Sequence, residues 1–211
     1  MSAGGQTNAN TPEASGNAKG VAVALVRQNQ DDSGMGRVRV SYPWHSEPLE
    51  SYCARVAVPM AGSGRGTYFI PEVGDEVLVA FDRGDVRFPY VVGSLWNGVD
   101  SAPESNNDGQ NDKRMIRSRK GHHLMFDDGP RGRVELRLDD GKRITIDDDG
   151  IVVDDDAGNR ISVNRSGGEI TVEAATKVRL SAPEVAIEAT GRVSISAGST
   201  LELVGAMVTI N

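Results

Sequence analysis

The sequence has one cysteine, few aromatic residues and no long apolar run, and each absence excludes a class of protein. A single cysteine, Cys53, excludes an internal disulfide framework. No stretch of about 18 apolar residues occurs, so no membrane-spanning helix is expected. Ser2 to Lys19 lacks the apolar core of a secretory signal. We therefore expect a soluble chain that is synthesised in the cytoplasm.

Positive charge is also scarce, which argues against a nucleic-acid partner. The formal net charge is -7, and between Gly20 and Asp100 ten acidic residues accompany seven arginines. Proteins that bind nucleic acid without sequence preference neutralise phosphates with Lys and Arg. The balance of charge therefore predicts no nucleic-acid binding.

The C-terminal part of the sequence carries a repeat in which two aliphatic residues are separated by one polar residue. Because alternate residues of a strand point to opposite faces, each unit offers two apolar side chains to one face. A single strand cannot bury them, and such repeats are stable only when neighbours stack. Successive pairs start 7 or 8 residues apart and are Ile170 and Val172, Val178 and Leu180, Val185 and Ile187, Val193 and Ile195, Leu201 and Leu203, and Val208 and Ile210.

Two closures fit this repeat: a single chain coiled as a β-helix, or three identical chains wound as a three-sided prism. A looser repeat begins near Arg133 and leaves fewer than 80 residues. That length gives only about three single-chain rungs, the lower limit for a repeat array, so it favours the trimer. No aromatic residue follows Phe126, as expected of an interior too thin for rings. The first five pairs, Ile170 to Leu203, are the predicted needle core.

The rest of the chain divides by composition. Residues 1–19 are rich in Gly, Asn and Ala and are predicted to be disordered. Residues 20–98 contain five strand-like runs separated by Gly, Pro and Asp, which predict a small barrel of the OB type. Residues 99–120 are predicted as a linker and basic neck, and residues 121–211 as the spike. The five runs are Val21–Arg27, Arg37–Tyr42, Tyr52–Pro59, Glu76–Phe81 and Tyr90–Trp96.

Three segments of the barrel resemble one protein family: Gly36–Trp44, Ile70–Phe81 and Pro89–Gly98. They are similar to the OB domain of phage baseplate spike proteins and of VgrG, the spike of type VI secretion. Lys120–Asp128 resembles the segment that leads into the VgrG needle. The resemblance implies an all-β chain with an N-terminal OB-fold barrel, followed by a C-terminal intertwined triple-stranded β-helix in a homotrimer.

The same resemblance implies a function and partners. The chain would be a membrane-piercing needle that is assembled into the baseplate of a phage-tail-like particle and driven into a target cell envelope. VgrG proteins carry a hub region before this OB domain, where only about 19 residues stand here. We therefore expect the hub on a separate chain or on a part removed from this one. A PAAR-type tip protein is expected at the other end, on Leu203, Met207, Val208, Ile210 and Asn211.

No catalytic or cofactor motif is recognisable, so we expect no enzyme activity, no cofactor and no metal site. His122 and His123 would point to opposite faces of a strand, which favours a structural role. The acidic runs Asp147–Asp149 and Asp154–Asn159 have the composition of turns. The alternative function is a β-helical protein that binds or degrades surface polysaccharide.

Overall fold

The computed structural model describes residues 20–45 and 50–210. The predicted disordered segment, Met1–Lys19, and one predicted tip residue, Asn211, lie outside them. The chain separates into two compact units, one up to Ser105 and one from Asn106. Regular structure in the described residues is β, apart from a 3₁₀ turn at Asp82–Gly84. No helix in these ranges is long and apolar enough to cross a membrane.

Within residues 20–45 and 50–105 the first unit has seven strands, five of which form one sheet in the order β2-β1-β6-β7-β3. The pairs in this sheet are antiparallel except β3 with β7, which is parallel. The remaining two strands form a separate hairpin. In chain order the strands are β1 Val21–Gln28, β2 Arg39–Ser41, β3 Arg55–Val56, β4 Ala61–Gly62, β5 Arg65–Gly66, β6 Glu76–Phe81 and β7 Pro89–Ser94.

Backbone hydrogen bonds close this sheet into a barrel by joining the residues beside β2 to those beside β3. The Val38 N–H donates to the Ala54 carbonyl at 3.0 Å, and the Ala54 N–H donates back at 2.7 Å. The Ser51 N–H donates to the Val40 carbonyl at 2.9 Å. A closed five-stranded ring of this connectivity is an OB fold. The predicted OB barrel is therefore confirmed.

Small and β-branched side chains fill the barrel, because alternate residues of each strand point inward. Tyr42 is the one large aromatic residue among the buried core, and its hydroxyl donates to the Val86 carbonyl at 2.6 Å. Trp44 packs against this core and donates from its indole N–H to the Val23 carbonyl at 2.9 Å. The buried core comprises Ala24, Val26, Val38, Val40, Tyr42, Ala54, Val77, Val79, Val86 and Val91.

One predicted strand differs most from the structure, because Tyr52–Pro59 contains only the two-residue strand β3. Ser51 interrupts the ladder before it: its hydroxyl accepts from the Val40 N–H at 3.1 Å and donates to the Tyr52 carbonyl at 2.7 Å. Pro59 has no N–H to continue the ladder beyond it. By contrast, the predicted strand Glu76–Phe81 is observed with the same bounds.

A single carboxylate fixes the loop that joins β1 to β2. The side chain of Asp31 is only 5% exposed, and it accepts hydrogen bonds from the side chain and N–H of Ser33, the N–H of Met35 and the N–H and guanidinium of Arg37. The Arg37 guanidinium makes the largest contribution to lowering the pKa of Asp31 well below its ordinary value. Ionised Asp31 therefore holds the loop closed.

The second unit is a single sheet of seven strands, each paired antiparallel with the next along the chain. It starts at Lys113, so the sheet includes part of the segment that the sequence analysis assigns to the neck. Residues 174–210 belong to no strand within the described range. The strands are β8 Lys113–Arg117, β9 His123–Asp127, β10 Arg133–Arg137, β11 Arg143–Asp147, β12 Gly150–Asp154, β13 Arg160–Asn164 and β14 Glu169–Glu173.

The acidic runs form turns of this sheet, as predicted. The Asp147 carboxylate accepts the N–H groups of Asp149 and Gly150 at 3.0 and 3.2 Å. The Asp155 carboxylate likewise accepts the N–H groups of Ala157 and Asn159 at 2.8 and 2.9 Å. Local hydrogen bonds of this kind explain why Asp occurs at these positions.

We expect Tyr42→Phe to lower the free energy of unfolding of the first unit by about 1 to 3 kcal/mol. The substitution removes the phenolic hydroxyl and leaves the buried Val86 carbonyl without its donor. Urea unfolding followed by tryptophan fluorescence measures the change. Tyr68→Phe is the control, because Tyr68 is 80% exposed; equal losses in the two variants would contradict the assignment.

Asp31→Asn should destabilise the same unit in a pH-dependent way. Because the folded state lowers the pKa of Asp31, its stabilising contribution is complete above the ordinary pKa of 3.8 and declines as the pH falls below that value. The urea midpoints of the wild type and the variant should therefore differ at pH 7 and converge towards pH 2. A difference that is constant over this range would disprove the role of the ionised carboxylate.

Gly150→Ala should destabilise the second unit by at least about 2 kcal/mol. Gly150 has a φ of +145°, and a Cβ there would lie 1.8 Å from the Val163 carbonyl oxygen. Gly132→Ala is the matched control in another turn of the sheet, since its Cβ would have no neighbour closer than 3.9 Å. Thermal unfolding followed by circular dichroism should show a large loss for the first variant and little change for the second.

Candidate functional site

One face of the second sheet carries two continuous rows of apolar side chains. The strand register sets Leu136 opposite Leu124 and Ile144, and Ile161 opposite Val153 and Val172. The same alternation brings six residues from β9 to β14 into line in each row. The first row is Leu124, Leu136, Ile144, Val153, Ile161 and Val172, and the second is Phe126, Val134, Ile146, Ile151, Val163 and Ile170.

These two apolar rows are not covered by the second unit itself. Ile144, Ile151 and Ile161 remain 40, 42 and 47% exposed although they lie in the interior of the sheet. A groove of about 510 Å³ runs along the first row, lined by its members from Leu136 to Val172. Extended apolar surfaces of this kind on a folded chain mark sites of interaction.

The opposite face of the sheet is mostly polar, apart from Met115, Met125 and Val152, and its charges are paired with one another. The Arg143 guanidinium donates to the Asp154 carboxylate at 2.7 Å. Glu135 is 7% exposed, and its carboxylate lies 3.0 Å from Nε2 of His123 and 3.9 Å from the Arg133 guanidinium. Because the two faces differ in this way, the apolar face is the candidate assembly surface.

The predicted needle core begins at the end of these rows. Ile170 and Val172 close the two rows in β14 and are 71 and 56% exposed. The other eight predicted core residues lie beyond the sheet and are between 50 and 74% exposed. Their role in a core stays a prediction. They are Val178, Leu180, Val185, Ile187, Val193, Ile195, Leu201 and Leu203.

The predicted contact for a tip protein is also exposed. Met207 and Ile210 are 85 and 84% exposed, and Leu203 and Val208 are 62 and 52% exposed. The fifth predicted residue, Asn211, lies outside the described range. This surface stays a prediction.

Sequence analysis did not include the apolar residues of β9 to β13 in the needle core. They form pairs separated by one residue, like the later repeat, but the pairs start at 124, 134, 144, 151 and 161. The looser repeat from Arg133 contains four of these pairs, but their irregular spacing, set by turns of different length, did not mark them as core. The alternation alone, without a fixed period, could have found them.

The two histidines have separate partners, which favours the structural role. Nδ1 of His122 accepts the Asp139 N–H at 3.1 Å, whereas Nε2 of His123 lies 3.0 Å from the Glu135 carboxylate. Among the described residues, no group of three or more His, Cys, Asp or Glu side chains is close enough to hold a metal ion.

Comparison with known families identifies the first unit. Residues 22–96 match the model of the type VI secretion system and phage-baseplate injector OB domain. These residues span β1 to β7, so the match covers the closed barrel and not the second sheet.

Comparison with curated proteins gives relatives of the same kind. The type VI secretion system spike protein VgrG3 of Vibrio cholerae is 40% identical over 72 residues, which cover 32% of this chain and 7% of the relative. The spike protein VgrG4b of Pseudomonas aeruginosa is 35% identical over 111 residues, or 51% of this chain and 13% of the relative. The actin cross-linking toxin VgrG1 of Vibrio cholerae is 33% identical over 72 residues, or 32% of this chain and 7% of the relative. The matched stretches are thus small parts of much longer relatives.

Proposed function

The chain carries the injector OB domain of type VI secretion systems and phage baseplates at residues 22–96 and is a relative of VgrG spike proteins, and we propose that it is the central spike of a contractile injection machine. In this proposal the chain is a homotrimer in which the second unit and the repeat after it form a needle. The needle caps the tube, and contraction drives it into a target cell envelope. Its work is mechanical and not catalytic.

The observation that carries this proposal is the pair of apolar rows and their continuation beyond β14. Burying one exposed Val, Leu or Ile side chain contributes about 1.5 to 3 kcal/mol. The rows and the repeat offer enough such side chains, already half-covered, for association to contribute on the order of 10 kcal/mol per chain. Three copies with their apolar faces turned inward would bury the rows and leave the charged faces in water.

Three further features support a needle. Aliphatic residues fill the rows except Phe126, and a thin interior accommodates them. The turns between β8 and β14 carry Asp, Asn, Lys and Arg, which discourage sideways pairing of the needle with other sheets. Stacked strands that share one core resist local opening, because no strand leaves without disrupting its neighbours.

The proposal assigns partners to the two ends of this assembly. A hub protein would bind on the side of the OB barrel, by analogy with the injector role of the domain. A PAAR-type tip protein would bind the apolar surface of Leu203, Met207, Val208, Ile210 and Asn211. The four described members are each more than half exposed and are therefore accessible to such a partner.

Light scattering of the purified chain tests the trimer. We expect a native mass near three times 22.5 kDa that persists on an unheated SDS gel. Ile144→Lys with Ile161→Lys should abolish it, because both residues lie in the first apolar row. The matched control is Thr145→Lys with Ser162→Lys, one position along the same strands and on the polar face; this variant should remain trimeric.

Two results would contradict the proposal. A stable monomer of the unmodified chain would remove the needle, because the needle as proposed requires three copies, and would favour the polysaccharide-binding alternative. Loss of the trimer to the same extent in the control variant would show that assembly does not depend on the apolar face.

A further inference from the structure

The last strand of the second sheet has one open edge. β14 pairs with β13 from Arg160 opposite Glu173 to Asn164 opposite Glu169. On its other side, no strand within the described residues pairs with it. An open edge presents a row of N–H and C=O groups and is a template for another strand.

The open edge coincides with a change in the turn residues. Every hairpin between β8 and β14 has a glycine in its turn or directly after it. Three of these, Gly121, Gly141 and Gly158, have φ values of +97°, +93° and +94°. Such left-handed positions favour a tight reversal between strands, and only the turn between β9 and β10 reverses without one. After Gly168 the next glycine is Gly191, so Glu173 is followed by Ala174, Ala175 and Thr176 with no residue suited to a tight reversal.

The chain is also held away from the open edge at this point. The Ala175 N–H donates to the side-chain carbonyl of Asn159 at 3.1 Å, which ties Ala175 to the turn between β12 and β13. That turn lies on the paired side of β14. The segment that follows Glu173 therefore does not fold back onto the edge of its own sheet.

The next repeat unit has the chemistry that the open edge needs. Val178 and Leu180 match Ile170 and Val172 in spacing, so they would extend both apolar rows by one strand. Lys177 and Arg179 occupy the alternate positions and so point to the polar face, where β14 presents Glu169 and Glu173. Opposite charges on facing strands are stabilising, and like charges are not.

We propose that the open edge of β14 binds residues 177–181 of a second copy of this chain, so that pairing changes from within one chain to between chains at Ala174. The inference rests on the proposed homotrimer. It adds the position at which the three chains begin to intertwine and the two segments that meet there. Residues 113–173 form their sheet within one chain, whereas residues 174–210 obtain their strand partners from neighbours.

Disulfide trapping tests the contact in the full chain with Cys53→Ser as the background. If Ile170 and Val172 align with Val178 and Leu180, Thr171 faces Arg179 whether the strands run parallel or antiparallel. Facing residues in a sheet have Cα atoms within the range of a disulfide. Oxidation of Thr171→Cys with Arg179→Cys should therefore join each copy to the next and give a covalent trimer on a non-reducing denaturing gel.

The matched control is Ser162→Cys with Thr171→Cys, which face each other within one chain. It should form a disulfide and migrate as a single chain. A single-chain disulfide in the Thr171 and Arg179 variant would overturn the inference, because the segment would then fold back on its own sheet. The absence of any disulfide in that variant, with the control oxidised and the native mass trimeric, would overturn it as well.

Light scattering of the unoxidised variants separates the two proposals. A trimeric mass without the cross-link between copies rejects the position of strand exchange and leaves the spike function standing. A monomeric mass rejects the proposed function, and the inference with it.

Discussion

A single β-sheet has two faces, and a folded chain must cover at least one of them. The second unit consists of one sheet with no second layer within the described residues, although stable domains are built from two or more packed layers. Its polar face satisfies its charges in pairs such as Arg143 with Asp154. Its apolar face is not covered by the described residues of the same unit, and the assembly proposed for the protein follows from that imbalance.

The first unit covers one face of its sheet by closing that sheet into a barrel. Its sheet curls until the residues beside β2 bond to those beside β3, and this removes both edges and encloses the core. Val38 and Ala54 have almost no exposed surface there, whereas Ile144 in the second sheet is 40% exposed. One chain thus combines a barrel that buries its own core with a sheet whose apolar rows stay partly exposed.

The sequence predicted those strands whose alternation of inward and outward residues is regular. Glu76–Phe81 was predictable because alternation of inward and outward residues follows directly after the turn at Gly74 and Asp75. The strand at Arg55 was overestimated, since nothing in its composition indicates that the Ser51 hydroxyl takes a ladder position. The hairpin of β4 and β5 was not predicted at all, because two-residue strands carry no periodic signal.

The candidate site was predictable only in part, for a different reason. The regular repeat from Ile170 identified the later apolar pairs, but the unequal turns left the similar pairs in β9 to β13 outside the predicted core. What covers these residues is not encoded in the contacts of one chain. Residues 174–210 therefore have a recognisable pattern and no strand of their own in the described range.

The residues in the turns indicate where strand pairing within one chain ends. Where glycine allows a left-handed turn, as at Gly141 and Gly158, the chain reverses and pairs with itself at little entropic cost, because the loop to be closed is short. After Glu173 alanine and threonine stand in place of glycine, and in the proposed trimer the same apolar spacing is satisfied by a strand from another copy. Two segments with nearly the same hydrophobic pattern can in this way have different partners, because the residues between the strands, and not the strands themselves, determine whether the neighbour belongs to the same chain.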